Sequence, residues 1–188
     1  MSTINIRGGS DGNMAEVDAG NALRTRVRSE WEIALDAGLA FSWSNATYDY
    51  SAIDTVLAIQ NNSGEYDLKI KRIFITGSTA TQWVVHTSKG ITWTQGAQGA
   101  AIVAVNLNRG SARLATSLCS AGSDEEGNAE STAYAGRLIT GRIGTAGFSE
   151  IPVDGAIILP DDHDIGIDLT TDGTTVNCTI WGYFVPRA

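Results

Sequence analysis

The residues able to support catalysis are few in this sequence, and they lie far apart. Its two histidines are His86 and His163, and neither stands in a nucleophile motif or a zinc-binding motif. His86 falls among the apolar residues of a segment that reads as a strand, where a half-buried structural histidine is the usual occupant. We therefore predict no catalytic residues and no enzymatic activity.

One acidic segment has the residue types of a calcium site. Asp161, Asp162 and Asp164 surround His163 directly after Pro160. Carboxylate oxygens are the ligands that Ca²⁺ prefers, but the spacing lacks the alternating Asp-x-Asp-x-Asp-Gly order of a calcium loop. A solvated turn that begins a strand explains the same residues, so we predict no metal site and no cofactor.

The aromatic residues offer a third kind of chemistry. Exposed indole rings can form a platform on which sugars stack, whereas buried rings serve packing in a core or an interface. The five tryptophans fall in segments with alternating apolar residues, which favours packing; they are Trp31, Trp43, Trp83, Trp93 and Trp181. Coplanar exposed rings would favour sugar binding, and buried or interface rings would favour assembly.

Composition excludes several classes of protein. The formal charge of −8 comes without any cluster of Lys and Arg, which argues against nucleic-acid binding. The sequence lacks the run of about 18 apolar residues that a membrane helix needs, and its N-terminus lacks the apolar centre of a secretory signal. We expect a soluble protein made in a cytoplasm, with Cys119 and Cys178 reduced and buried.

Residues 1–28 predict an extended N-terminal arm. Residues 7–21 are rich in Gly, Asp and Asn, so they cannot bury enough apolar surface to offset the entropy of ordering. After them, arginines at positions 24, 26 and 28 alternate with Leu, Thr and Val, which predicts a short docking strand. The arm carries a net charge of +1 against −9 for the remainder, so we expect Arg24, Arg26 and Arg28 to be interaction residues.

The remaining residues, 29–188, predict one β-sandwich domain with jelly-roll topology. Apolar alternation indicates a hairpin from residues 30–36 and 39–43, followed by further strands at 55–60, 66–76, 81–87, 91–94, 101–107, 136–140, 155–159, 165–169 and 174–185. The last two strands are expected to form a hairpin across the Asp-Gly turn of residues 170–173. Gly96 and Gly99 are assigned to a loop, as are residues 109–131, with a short helix over 114–119 as an alternative.

The last strand has apolar residues on both faces. Val176, Cys178 and Ile180 alternate with polar residues at first, but Trp181 and Tyr183 then add aromatic rings to the other face. A strand of this kind is covered on both sides, by the core and by a partner. We therefore predict Trp181 and Tyr183 as interaction residues of a homo-oligomer, for which we expect a trimer.

Three short segments carry a resemblance to a known family. Residues 15–23 (AEVDAGNAL), 105–111 (VNLNRGS) and 159–165 (LPDDHDI) are similar to phrases in accessory virion structural proteins of tailed bacteriophages. The resemblance implies a small β-sandwich that acts as a capsid decoration or cement protein, commonly a homotrimer, and that stabilises the phage head by bridging capsid subunits. The implied partners are copies of itself and the major capsid protein or another virion protein, and the implied location is the virion.

Two other functions remain open at this stage. One is a carbohydrate-binding or receptor-binding β-sandwich module of a phage tail or fibre, which would use exposed tryptophans and acidic loops. The other is an enzyme domain such as a glycan hydrolase, although no Asp and Glu pair in the sequence identifies itself as its acid and base. An ordered body with an arm that folds on contact suits a decoration protein, because the arm can wrap surface that it could never bury alone.

Overall fold

The computed structural model describes residues 6–7, 14–17, 23–26, 28–46, 48–50, 55–90, 92–127, 137–144, 147–169 and 174–187. These residues form fifteen β-strands, one α-helix and one 3-10 turn. In chain order the elements are β1 (Ile6–Arg7), β2 (Met14–Val17), β3 (Leu23–Arg26), α1 (Glu30–Asp36), β4 (Ala40–Ser44), β5 (Tyr48–Tyr50), β6 (Thr55–Asn61), β7 (Tyr66–Gly77), β8 (Thr81–Lys89), β9 (Trp93–Ala101), β10 (Val105–Asn106), the 3-10 turn (Ala115–Ser117), β11 (Cys119–Gly127), β12 (Arg137–Ile143), β13 (Gly147–Leu159), β14 (His163–Leu169) and β15 (Thr174–Pro186). No helix among them is long and apolar enough to span a membrane.

Most of these strands belong to two antiparallel sheets that pack against each other. The front sheet has the order β10-β4-β15-β7-β13, with β5 paired to one end of β15. The back sheet has the order β12-β8-β14-β6-β11-β9. Apolar side chains of both sheets join in one core, which confirms the predicted all-β sandwich.

The core follows from apolar alternation along the strands. On β7, Ile73 and Ile75 point into the core while Phe74 between them points away. The aromatic centre lies between β4 and β15, where the Phe184 ring sits 5.9 Å from Phe41 and 6.5 Å from Trp43. Each large apolar side chain buried in this way contributes roughly 1.5–3 kcal/mol to folding.

The predicted strand over residues 30–36 is wrong, because this segment is helix α1. A capping box starts the helix: the Glu32 backbone N–H donates to Ser29 Oγ at 3.2 Å, and the Ser29 N–H donates to the Glu32 carboxylate at 2.9 Å. These contacts satisfy two backbone donors that the first helical turn leaves free. With this segment helical, the predicted hairpin to residues 39–43 does not form, although β4 occupies most of its second half.

Helix α1 lies on the outer face of the front sheet. Trp31, Ala34 and Leu35 stand at helical spacing and pack toward the sheet. The helix is followed by Gly38 in the left-handed region, with φ of +69°. A Cβ at Gly38 would lie 2.1 Å from Ser111 Oγ, so both the backbone conformation and the space require glycine here.

The predicted Asp-Gly hairpin between the last two strands is also wrong. Strand β14 pairs with β6 and β8 in the back sheet, whereas β15 pairs with β4, β5 and β7 in the front sheet. The connecting residues 170–173 lie outside the described residues. The chain therefore crosses between the two sheets at a point where local turn chemistry favours a hairpin.

Two strands occupy segments that were assigned to loops. Strand β9 runs from the end of the predicted strand 91–94 through Gly96 and Gly99 to residue 101, so the predicted strand 101–107 is reduced to β10. Strand β11 runs between β6 and β9 through most of the second half of residues 109–131. The short-helix alternative reduces to one 3-10 turn. Opposite Asp124, four residues of β9 lie between the paired positions, and a Cβ at Gly99 would approach the Ser123 carbonyl oxygen to 2.8 Å. Glycine at position 99 therefore allows the close approach of β9 to β11 where their pairing is irregular.

The first three strands form a separate antiparallel sheet in the order β1-β2-β3. The strand predicted from Leu23 is confirmed as β3. No described strand of the two larger sheets pairs with a strand of this small sheet. Its role as an arm stays a prediction.

Candidate interaction surface

Helix α1 covers one end of the outer face of the front sheet. The Trp31 ring meets Tyr183 of β15 edge to face, with ring centroids 5.4 Å apart. Beside it, Lys69 Nζ lies 2.6 Å from the Glu30 carboxylate. Tyr183 is consequently 4% exposed, and burial followed by the nearby Glu30 carboxylate raises the pKa of its hydroxyl. The sequence predicted that a partner would cover this end of β15. The chain's own helix α1 covers it instead.

Beyond the helix, three aromatic side chains cross adjacent strands of the same face. Trp181 of β15 meets Phe74 of β7 at 5.0 Å, and Phe74 stacks on Phe148 of β13 at 6.3 Å with 26° between the ring planes. Phe148 is 60% exposed. We call Trp181, Phe74 and Phe148 the aromatic strip. Phe74 and Trp181 are half-buried, so the strip joins one exposed ring to two partly covered ones, and a contiguous apolar surface of this kind is a candidate interaction site.

Ion pairs border the aromatic strip. The Arg72 guanidinium contacts the Glu150 carboxylate, and Lys71 Nζ lies 2.5 Å from Asp154 Oδ1. Lys71 lowers the pKa of the Asp154 carboxyl through their hydrogen bond and charge attraction. Against β15, Lys71 is the extra residue of a bulge in β7, whereas on the β13 side residues 153–156 lie opposite this one residue. The bulge lets Lys71 and Arg72 reach partners on the same face.

The predicted arginines have different positions. Arg24 and Arg26 belong to β3, but their side chains lie outside the described part of the structure. Arg28 is described: its guanidinium contacts Asp36 and donates to the Glu32 carbonyl oxygen at 3.0 Å. Arg28, the last residue of the N-terminal segment, therefore contacts α1.

No tryptophan side chain within the described ranges is fully exposed. Trp43 and Trp83 are buried in the core. Trp31 and Trp181 are half-buried on the outer face of the front sheet, and Trp181 is inclined by 67° to Phe74. The side chain of Trp93 lies outside the described residues. This distribution matches packing and interface roles more closely than a flat sugar-stacking surface.

His86 belongs to a buried polar network on the back sheet. Its Nε2 lies 3.1 Å from Asp168 Oδ2, and Thr55 Oγ1 donates to Asp168 Oδ1 at 2.7 Å. Asp168 thus stands between the hydroxyl and the imidazole, whereas in a hydrolytic triad the histidine stands between the nucleophile and the acid. The network orients His86 and joins three neighbouring strands of the sheet.

The acidic segment before β14 is a tight turn. The Asp162 N–H donates to the Asn61 carbonyl oxygen at 2.8 Å, and the Gly90 N–H donates to the Asp162 carbonyl oxygen at 2.8 Å. His163 Nδ1 lies 2.9 Å from the Asp161 carbonyl oxygen. Asp164 is fully buried in the sheet. Within the described ranges, no group of three or more His, Cys, Asp or Glu side chains is placed to hold a metal.

Both cysteines are free and buried, as predicted. Burial raises the pKa of the Cys119 thiol to about 12, and it raises the pKa of Cys178 further above the ordinary value. Neither thiol is therefore a thiolate at neutral pH, and reactivity toward oxidants or metals is low.

Sequence reasoning found Trp181 but missed Phe74 and Phe148. Phe74 carried a usable signal, because it occupies an outward position between Ile73 and Ile75 in a strand that was predicted. Phe148 lies in the first half of β13, which was not assigned to a strand.

The comparisons with known proteins found no match: no family model, no curated protein and no solved structure is similar to this chain.

Proposed function

We propose that this chain is a structural virion protein, a capsid decoration protein of a phage head that assembles with copies of itself and with the major capsid protein. The observation that carries the assembly role is the aromatic strip, in which Phe148 is 60% exposed. The virion role comes from the resemblance of residues 15–23, 105–111 and 159–165 to phage accessory proteins.

The construction of the strip supports an interface role. Phe74 already packs against both Trp181 and Phe148, so a partner would meet three rings that are held in place before binding. Pre-ordered groups lose less entropy on binding than mobile ones. The Arg72–Glu150 ion pair adds a polar border to an apolar centre, which is the arrangement of ordinary protein interfaces.

In this proposal, residues 1–28 bridge the sandwich to the shell. Arg28 fastens the chain to α1 at the point where this segment ends, so a segment held by the shell would also hold the sandwich. Residues 1–28 have a net charge of +1, and residues 29–188 have −9. A negatively charged surface would therefore repel the sandwich but not the N-terminal segment.

The copy number of the chain in purified particles tests the proposal. Particles from the source culture are separated on a density gradient, and peptides of this chain and of the major shell protein are quantified by mass spectrometry. A decoration protein is present in numbers comparable to the shell protein. Absence from the particles would overturn the virion role.

A carbohydrate-binding module of a tail or fibre is the second candidate. The exposed Phe148 ring, with the Glu150 and Arg72 side chains near it, offers a stacking face beside polar groups. A glycan array probed with the labelled protein tests this function. Binding that Phe148→Ala abolishes would favour the module, and a few copies per particle would agree with a tail position.

A further inference from the structure

We propose that copies of this chain associate head to tail, with one edge of the front sheet meeting the opposite edge of the next copy. This inference rests on the proposed function and deepens it, because it names a second copy of this chain as the partner of Phe148, the exposed end of the aromatic strip. Among the described strands, β10 pairs only with β4, and β13 pairs only with β7. Each edge therefore presents backbone groups that another strand can pair with.

The first surface is a basic apolar corner at β10. Val103, Val105 and Leu114 are exposed by 68%, 49% and 64%. Residues 102–118 contain Arg109 and Arg113, both exposed, and no Asp or Glu. We call these five side chains the β10 corner. It is a positive surface on a chain whose overall charge is −8.

Hydrogen bonds hold the β10 corner in a fixed shape. Asn106 Nδ2 donates to the Gly38 carbonyl oxygen at 2.9 Å and to the Arg113 carbonyl oxygen at 3.1 Å. Asn108 accepts from the Gly110 N–H at 3.1 Å and donates to the Asp36 carbonyl oxygen at 3.3 Å. The loop is thus tied to the end of α1, and a partner would meet a pre-ordered surface.

The second surface is the outward side of β13. Phe148 and Ile158 point to the outer face, since they pair with Thr76 and Lys69 of β7. Ile158 is 48% exposed. Residues 147–162 contain four carboxylates and no Lys or Arg. Two of these carboxylates pair with β7 cations, and the other two lie on the turn after the strand. We call this surface the β13 edge.

The two surfaces are complementary to each other and not to themselves. Two β10 corners would bring four arginines together, whereas a β10 corner against a β13 edge joins apolar groups and opposite charges. Because both belong to the front sheet, their contact can continue that sheet from one copy to the next. A contact between unlike surfaces is heterologous, and it produces a closed ring or an open filament.

Crosslinking of co-expressed variants tests this arrangement. Ala112→Cys places a thiol in the loop of the β10 corner, and Pro152→Cys places one on the β13 edge; both positions are exposed, and neither removes the apolar or charged groups. The two variants carry different tags and are treated with a short bismaleimide crosslinker. The unmodified chain is the control, since its own cysteines are buried.

We expect crosslinked dimers that contain both tags, and none from either variant expressed alone. Crosslinks within a single variant would show a symmetric contact and overturn the proposal, and absence of crosslinks in every sample would overturn it as well. Light scattering gives a second measurement: Arg109→Glu with Arg113→Glu should weaken association at least tenfold, while the exposed Arg142→Glu on β12 should leave it unchanged. A chain that stays monomeric but is abundant in particles would refute this inference and leave the decoration role intact.

Discussion

Replacing Phe148 with alanine separates what the aromatic strip does for folding from what it does for assembly. A phenylalanine side chain offers roughly 200 Å² of apolar surface. Phe148 is 60% exposed in the isolated chain, so the fold uses the smaller part of that surface and leaves the larger part for a partner. At about 25 cal/mol per Å², the share used in folding is worth about 2 kcal/mol and the share left for a partner up to about 3 kcal/mol.

These values predict two separate results. Urea unfolding of Phe148→Ala should show a loss of about 2 kcal/mol in the free energy of unfolding from the lost burial, to which the lost stacking on Phe74 adds. Sedimentation equilibrium should show association weakened about a hundredfold, because each 1.4 kcal/mol is a factor of ten.

Leu138→Ala is the matched control, since Leu138 is 50% exposed but lies on β12 of the back sheet. It should lower stability without changing association. Association that survives Phe148→Ala, or that Leu138→Ala weakens equally, would refute the assignment of the strip as the interface.

Three other predictions concern the frame around that surface. Gly38→Ala should lower the free energy of unfolding by about 2 kcal/mol or more, because the backbone there is left-handed and a Cβ would clash with Ser111. Gly64 has open space around it, so Gly64→Ala should change the free energy of unfolding little in the same urea titration. In the folded chain Cys119 and Cys178 should resist alkylation at pH 8, and both should react after denaturation. Because the folded chain keeps thiol protons that the unfolded chain releases above pH of about 9, stability measured by urea titration should fall in that alkaline range. Deletion of residues 1–21, which leaves Arg28 and its contacts with α1 in place, should shift the Tm by only a few degrees but weaken binding to purified particles tenfold or more, as measured by co-sedimentation. Unfolding of the shortened chain would instead make this segment part of the sandwich.

The strands that the sequence predicted well are those with strict apolar alternation. In β7, for example, the outward Phe74 lies between the inward Ile73 and Ile75. Alternation wrongly predicted a strand over α1, because Trp31, Ile33 and Leu35 also alternate with polar or small residues. The capping pair Ser29 and Glu32 is the local signal that distinguishes the helix from a strand.

Strands β9 and β11 could not be found from alternation. Both consist largely of small and polar residues, and β11 carries the acidic run that begins at Asp124. Strand β11 pairs with β6, which lies more than fifty residues before it in the chain, and β9 pairs with β11. Distant partners also explain the wrong hairpin prediction at residues 170–173. The local Asp-Gly sequence favours a hairpin, but β15 pairs with strands of the front sheet and not with β14. The jelly-roll topology stays a prediction.

The interaction surface was only partly predictable for a similar reason. Trp181 could be assigned to the outer face from its own strand, but its neighbours Phe74 and Phe148 come from β7 and β13. Tyr183 was assigned to the same face, and its cover by Trp31 followed from a helix that was not predicted. Sequence patterns identify an outward face, whereas the strand order determines which outward residues meet.

Cryo-electron microscopy of purified particles tests the central claim most directly. A decoration protein should give β-sandwich density at regular, symmetry-related positions on the outer surface of the head. The front sheets of neighbouring copies should meet there through the β10 corner and the β13 edge. Particles whose heads lack this density, or that carry it only at the tail, would contradict the assignment of this chain as a capsid decoration protein.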